Sequence, residues 1–444
     1  VPPTRKGMNY QQTLDYLYSR LPMFSRLGAA AIKKDLTNTL DLCDALGNPQ
    51  RSFRSVHVAG TNGKGSVSHM LAAILQTAGY KTGLYTSPHL KDFRERIRIN
   101  GEMISEEEVI GFTETCKEKI ESIEPSFFEV TVAMAFSHFA EHQADIAIIE
   151  TGLGGRLDST NIITPVLSVI TNIGYDHMNI LGNTLPEIAA EKAGIIKAGI
   201  PVVIGEHLPE TVNVFLEKAA KEGSRVIFAS EEWQVEDQYI IRKDTADQQL
   251  RPIRIWGLSE GHEKHAEVLD LDLTGSYQLK NIKTVWSAVS ELKKQGFQIT
   301  DEHLNTALKQ VKSLTGLMGR WHILSASPLV ICDTGHNEDG IREVLKNIQA
   351  TSFENLHMVI GMVKDKDITK VLSLLPKEAS YYFCAPDIER AKPAAELAAE
   401  AKLAGLDGTP YDSVKLALEA AKNKAGKDDL IFAGGSTFVV AEIV

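Results

Sequence analysis

The chain's 444 residues are 43% hydrophobic and 24% charged, enough for two or three domains with apolar cores. Its 58 acidic residues outnumber 47 basic ones, and a net charge of -11 argues against long DNA or RNA as a partner, though not against a local pocket for a small anion. Four scattered cysteines, Cys43, Cys116, Cys332 and Cys384, read as buried thiols rather than a disulfide frame or zinc site, and the lack of an 18-residue apolar run or an apolar signal core predicts a cytoplasmic chain without a membrane span.

The opening PPTRKG reads as a disordered leader before the first helix. VHVAG, Val56 to Gly60, is a short apolar strand that runs into glycine-rich sequence. After it, Val67, Met70, Leu71, Ile74 and Leu75 share one helical face. GLYTS, DIAIIETG, VLSVITNIG and PVVIG are further apolar runs that end in small or polar residues, with helical segments between them. Continuous rather than alternating apolar strands imply a sheet covered on both faces, hence a mostly parallel sheet in an α/β domain. Residues 228–275 differ: QYIIRK, PIRIWGL and AEVLDLDL, separated by polar turns, predict a small antiparallel elaboration. Helical pattern returns from Asn281 to about Val311, and SLTGLMGR marks a boundary. A second α/β unit follows, with strands LVICDTG, LHMVIGM, YYFCAP and DLIFAGG and helices from about Asp339, near Ile368 and twice later. The expected division is 1–314 and 315–444.

Between the first strand and its helix lies Gly60-Thr61-Asn62-Gly63-Lys64-Gly65-Ser66. Glycines let backbone N–H groups turn inward where a β-carbon would meet phosphate oxygens, and the helix N-terminus adds unpaired donors. Lys64 suits β- and γ-phosphates, and the hydroxyl of Ser66 or Thr61 suits a phosphate or its metal. The string departs from GxxxxGK[ST], because Val58 stands at the first glycine and Gly65 separates Lys64 from Ser66. The alternative is a plain tight turn.

Three later strand ends carry polar groups: Thr86 and Ser87 in TSPHL, Glu150 and Asp158 in ETGLGGRLDSTN, and Asp176 and His177 in TNIGYDHMNILG. Carboxyl ends of parallel strands form the ligand crevice, so Ser87, Glu150 and His177 are a candidate set for Mg2+. Alone, His177 also fits a solvated loop. Farther on, Lys192 in EIAAEKAGIIKAG is either a surface lysine or a cation or modified side chain facing the metal. Arg320, just past the boundary, could neutralise a transferring phosphate when the domains close, or dock the domains through a salt bridge. Asp333 to Asn337 end a strand of the second unit.

Taken in order, GTNGKGS, TSPHL, FRERIRING, FFEVT, ETGLGGRLDSTN, TNIGYDHMNILG, EIAAEKAGIIK, GSYQLKN, GRW and DTGHN make the chain resemble, over nearly its whole length, the folylpolyglutamate synthases and bifunctional dihydrofolate synthase/folylpolyglutamate synthases of the Mur ligase superfamily. The resemblance implies an N-terminal P-loop domain and a smaller Rossmann-like C-terminal glutamate ligase domain that closes over ATP. It implies that Gly60 to Ser66 bind the nucleotide, and that Ser66, Ser87, Glu150 and His177 hold Mg2+, with Lys192 carbamylated into a further metal ligand. Gln278, Asn281 and Asp333 would approach adenosine, and Arg320 and His336 the phosphates. Lys64, His177, Lys192, Arg320 and His336 become the catalytic candidates. A monovalent cation such as K+ and a monomeric state belong to the same expectation.

The implied reaction activates a pteroate or folate carboxylate as an acyl phosphate, which the α-amine of L-glutamate attacks. No protein nucleophile is needed, since catalysis rests on positioning and charge stabilisation. Phe93, Phe127 and Phe128 are candidates for pterin walls or core packing. Two motifs depart from the family: Met318-Gly319-Arg320 replaces PGR, and His336-Asn337-Glu338 replaces HNP. Both change loop stiffness without removing a reacting group. Rival readings are a monofunctional folylpolyglutamate synthase, another Mur-type ligase, a P-loop ATPase or kinase, and a non-catalytic nucleotide-binding scaffold.

Overall fold

Alternate residues of one buried strand divide between two cores. In the computed structural model, Ile146 and Ile148 pack with Val67, Leu71 and Ile74, while Ala147 and Ile149 pack with Phe136 and Phe139. Helices therefore cover both faces of the first sheet, as its continuous apolar strands require. The structure describes residues 7–32, 35–238, 250–259, 266–364 and 367–444, so all of the PPTRKG leader but Gly7 lies outside the described residues.

The first sheet has eight strands: β1 (Arg54–Ala59), β2 (Thr82–Tyr85), β3 (Ile97–Ile99), β4 (Glu102–Met103), β5 (Ile146–Glu150), β6 (Leu167–Ile170), β7 (Val202–Ile204) and β8 (Val226–Phe228). Their order is β4-β3-β2-β5-β1-β6-β7-β8. From β2 to β8 the neighbours are parallel; β3 and β4 add an antiparallel edge that the apolar-run pattern did not single out. Central β1 lies between β5 and β6, with Val58 opposite Glu150 and Ala59 opposite Ile170. The chain runs to one side of β1 and then to the other, so the ends of β1, β5 and β6 open side by side at the switch point where α/β sheets take ligands.

The elaboration is antiparallel, as expected: β9 (Trp233–Asp237), β10 (Arg251–Gly257) and β11 (Glu267–Leu271), in the order β11-β10-β9. Its first strand precedes QYIIRK, whose residues 239–243 lie outside the described residues. Ile253, Ile255, Leu269 and Leu271 pack with Ile282 and Val285 of helix Gln278–Lys294, which joins the elaboration to the first core.

A second sheet follows Thr315, where the last helix before it ends. Its strands are β12 (His322–Ala326), β13 (Leu329–Cys332), β14 (Leu356–Gly361), β15 (Ser380–Cys384), β16 (Gly408–Pro410) and β17 (Leu430–Gly434), in the order β12-β13-β17-β14-β15-β16. All are parallel except β12. Met358, Ile360 and Phe432 fill one face, and Val359 and Ile431 the other. The four cysteines are free and buried. No helix among the described residues is long and apolar enough to cross a membrane.

Candidate active site

The loop after β1 is held against the segment that follows β6 by its backbone and by the Thr61 hydroxyl. Thr61 N donates to Asn172 O at 3.0 Å, and Asn62 N donates to Asn172 Oδ1 at 2.8 Å. Thr61 Oγ1 donates to Gly174 O at 3.2 Å and accepts from Gly174 N at 2.9 Å. These bonds tie it to the segment after β6. Two glycines are required by space. A β-carbon at Gly60 (φ 150°) would lie 1.8 Å from Thr171 Oγ1, and one at Gly63 (φ 85°) 2.4 Å from Asn281 Oδ1. Gly63 caps helix Lys64–Thr77, whose first turn carries Lys64, Gly65 and Ser66. Lys64 Nζ donates to Gly60 O at 2.9 Å and Thr61 O at 3.3 Å, which folds its ammonium back over the loop.

Glu150, at the tip of β5, is only 4% exposed. Its Oε2 accepts from Ser87 N at 3.1 Å. Burial pushes its carboxyl up, while Lys64, the Ser87 N–H and Arg320 pull it down. Glu150 Oε1 lies 3.8 Å from where a β-carbon on Gly65 would be, so the carboxylate sits against the helix turn that carries Lys64. Glu150 and Ser87 line an open cleft together with Gly65, Pro88 and Arg320. A buried carboxylate with one backbone donor, beside hydroxyl groups, is an oxygen-rich donor set that fits a hard divalent cation. Asp158 organises the loop below. Its Oδ2 accepts from Gly152 N and Leu153 N, both at 2.8 Å, and its Oδ1 from Thr160 N at 3.0 Å.

Lys192 is no surface residue. It is 3% exposed near the end of helix Leu185–Ala193, and its Nζ donates to the same Gly60 carbonyl as Lys64, at 3.1 Å. Burial and then Lys64 push its amine down to about 7, against the pull of Asp176 and Asp158. The neighbouring acids of that helix face elsewhere: Glu187 caps its start, and Glu191 pairs with Arg156 at 2.8 Å. His177 is in the left-handed region (φ 50°), with its Nε2 3.8 Å from Asp176 Oδ1 and its ring edge-on to Phe24 at 5.6 Å. It is not among the residues that line the cleft with Ser87 and Glu150.

The second domain reaches in at two places. Arg320 Nη2 is 3.4 Å from where a β-carbon on Gly65 would be. Its only hydrogen bond is a long one, Nη1 to Gly319 O at 3.5 Å, so it makes no docking salt bridge among the described residues. The strand-end sequence after β13 meets the loop directly. Asn62 and Asn337 exchange amide hydrogen bonds of 3.2 and 2.9 Å. Asp176 accepts from Asn337 Nδ2 at 3.2 Å, and His336 Nε2 lies 3.3 Å from the same oxygen.

Gln278, Asn281 and Asp333 are placed differently from an open nucleotide face. Gln278 is fully buried and donates to Ser66 Oγ at 3.1 Å, while Asn281 Nδ2 donates to Gln278 Oε1 at 2.8 Å. Both brace the phosphate loop from beneath. Asp333 Oδ2 accepts from Tyr277 OH at 2.6 Å and Trp321 N at 2.7 Å, and its Oδ1 accepts from Gly335 N at 2.8 Å. It clasps the two domains. Phe93 and Phe127 are core residues that touch edge-on at 5.9 Å, which excludes them as open pterin walls; Phe128 fills the space over Gly152.

With that geometry in place, the comparisons converge. Residues 58–289 match the Mur ligase middle domain and residues 319–437 the Mur ligase, glutamate ligase domain. The dihydrofolate synthase/folylpolyglutamate synthase of Bacillus subtilis (strain 168) is 34% identical over 454 residues, covering 98% of both chains. The chain belongs to the dihydrofolate synthase/folylpolyglutamate synthase family of Mur ligases. Two solved structures of that family share its fold. Escherichia coli FolC in complex with DHPP and ADP has a TM-score of 0.83 at 28% identity, covering 98% of this chain and 97% of that one. The Yersinia pestis bifunctional enzyme complexed with AMPPNP and Mn ion has a TM-score of 0.81 at 26% identity, covering 99% and 98%.

As a member of this family the chain is an ATP-dependent ligase. From the sequence Asp176 is a strand-end acid only, and nothing in the pattern singles out Asn172. Asn172 holds the loop after β1, while Asp176 receives Asn337 and His336 of the second domain; both come from the TNIGYDH string, where the signal lay.

Proposed function

We propose that this ligase joins the α-amine of L-glutamate to dihydropteroate and to the γ-carboxylate of reduced folates, through an acyl phosphate made from ATP. The observation that carries the reading is the one cleft at which Glu150 and Ser87 of the first domain meet Arg320 of the second, with Gly65 as its floor. In that setting Lys64 and the loop N–H groups hold the triphosphate. Arg320, which makes no ion pair among the described residues, is available for the charge that builds on the transferring phosphoryl group. Closure of the second domain through Asn62–Asn337 and Tyr277–Asp333 keeps water from the acyl phosphate.

Glu150 with the hydroxyls of Ser66 and Ser87 would hold Mg2+, which would supply charge neutralisation of the phosphates. Lys192 joins that set only once its buried amine is carbamylated, since in its present form it donates a hydrogen bond. A monovalent cation such as K+, a monomeric state, a cytoplasmic location and a division of labour between residues 1–314 and 315–444 complete the proposal.

The test is a product assay with dihydropteroate and tetrahydrofolate side by side, each with ATP, Mg2+ and glutamate. The proposal expects a new amide with both acceptors and ADP release dependent on acceptor and glutamate. Product with tetrahydrofolate alone reduces the reading to a folylpolyglutamate synthase; ADP release with neither co-substrate and no amide overturns it.

A further inference from the structure

Outside the lining of the cleft, where two helices of the first domain meet, three ligating side chains converge that the ligase chemistry does not use. We propose that Glu108, His138 and His142 bind a divalent transition-metal ion of the zinc type, which fastens the start of helix Glu106–Ile123 to the end of helix Phe127–Glu141. One ligand atom from each residue lies within 4.8 Å of the other two, and among the described residues no other group of three does this.

The arrangement follows from local geometry. His138 and His142 are four residues apart, so their rings share one helical face, with centroids 4.5 Å apart. Both imidazoles address a single oxygen of Glu108. His138 Nδ1 is 3.3 Å from Oε1, and His142 Nε2 is in short contact with the same atom. The other oxygen is occupied: Oε2 accepts from Ser105 N at 3.1 Å and Ser105 Oγ at 2.8 Å, in the box that caps the helix. Glu108 is thus an oriented carboxylate that presents one oxygen, the kind of outer-shell support that fixes metal ligands.

Bonds of about 2.1 Å in a tetrahedral site separate ligand atoms by roughly 3.4 Å. The His138–Glu108 spacing already fits, and the shorter His142–Glu108 contact opens when an ion takes its place. Two imidazoles with one carboxylate favour zinc, nickel or copper over magnesium or calcium. His142 is partly exposed, so water completes the coordination. Lys81 is the nearby cation that works against the ion. None of the three ligands lines the active cleft, so the ion would serve the fold rather than the reaction.

The full chain, saturated with Mg2+ and a non-hydrolysable ATP analogue to fill the catalytic site, should be titrated calorimetrically with Zn2+. The site predicts one Zn2+ per chain, with affinity at least ten-fold weaker in both His142→Ala and Glu108→Gln and with ligase turnover in Mg2+ unchanged. His142 follows the last turn of its helix, and Glu108→Gln keeps an acceptor for Ser105, so both variants should fold; circular dichroism checks this. Zinc-edge anomalous scattering should place the ion between the two helices. No Zn2+ uptake by the parent chain, or equal uptake by parent and both variants, would overturn the assignment.

Discussion

Replacing Lys192 by Met should make the protein more stable and less active, and the stability gain should depend on pH in a defined way. Burial holds the Lys192 amine at about 7, against 10.5 for an ordinary lysine. Below pH 7 the amine is protonated in both the folded and unfolded chain, and the cost of a buried cation next to Lys64 is fully present. Between pH 7 and 10.5 only the unfolded chain keeps the proton, so this contribution to stability rises with pH. At about 1.36 kcal/mol per pKa unit, the difference corresponds to a penalty on the order of 5 kcal/mol. Relaxation and water entry on charging reduce it, so the expected gain for Lys192→Met at pH 6 is about 2–4 kcal/mol. Little is lost in exchange, because Lys64 still donates to the Gly60 carbonyl that Lys192 leaves. Urea unfolding of both proteins in CO2-free buffer at pH 6, 8 and 9.5 reads the effect. A gap that stays constant across these pH values, or a variant less stable at pH 6, would refute the reasoning.

Three further outcomes follow from the same geometry. Gly60→Ala places a β-carbon 1.8 Å from Thr171 Oγ1 at φ 150° and should cost about 2–4 kcal/mol in denaturant unfolding, together with nucleotide binding. Arg320→Ala should leave the melting temperature nearly unchanged, since the side chain makes only one long hydrogen bond, yet lower kcat by roughly 10²–10³; an unchanged kcat in steady-state assays would remove it from the reaction. Asn337→Ala breaks the exchange with Asn62 and the bond to Asp176, worth about 1–2 kcal/mol, and should raise the KM for ATP roughly ten-fold with the isolated folds intact.

Much of this was written locally in the chain. Apolar runs such as IAIIE can be buried on both faces only in a covered parallel sheet, and GTNGKGS between a strand and a helix has few uses other than cradling phosphate. Strand-end positions point to Ser87, Glu150 and His177 as residues that could meet; the structure brings the first two to one cleft and leaves His177 outside its lining. The ordered strings from GTNGKGS to DTGHN carry the family's chemistry in the sequence itself. Beyond that, local pattern had no purchase. The antiparallel edge that begins in FRERIRING escapes an apolar-run pattern, because an edge hairpin needs only one neighbour and little apolar surface. Gln278 and Asn281 carry no mark of whether they point at a ligand or under the loop; the packing of helix Gln278–Lys294 against the Ser66 turn decided it. Phe93 and Phe127 could equally have been pocket or core until the helices around them closed. Lys192 owes its depressed amine to burial beside Lys64, 128 residues earlier, and Glu108 meets His138 and His142 only because two helices lie side by side. Sequence periodicity reports which face of an element is apolar, while the partner on that face, and hence every charge and ligand set built between elements, is fixed only when the chain folds.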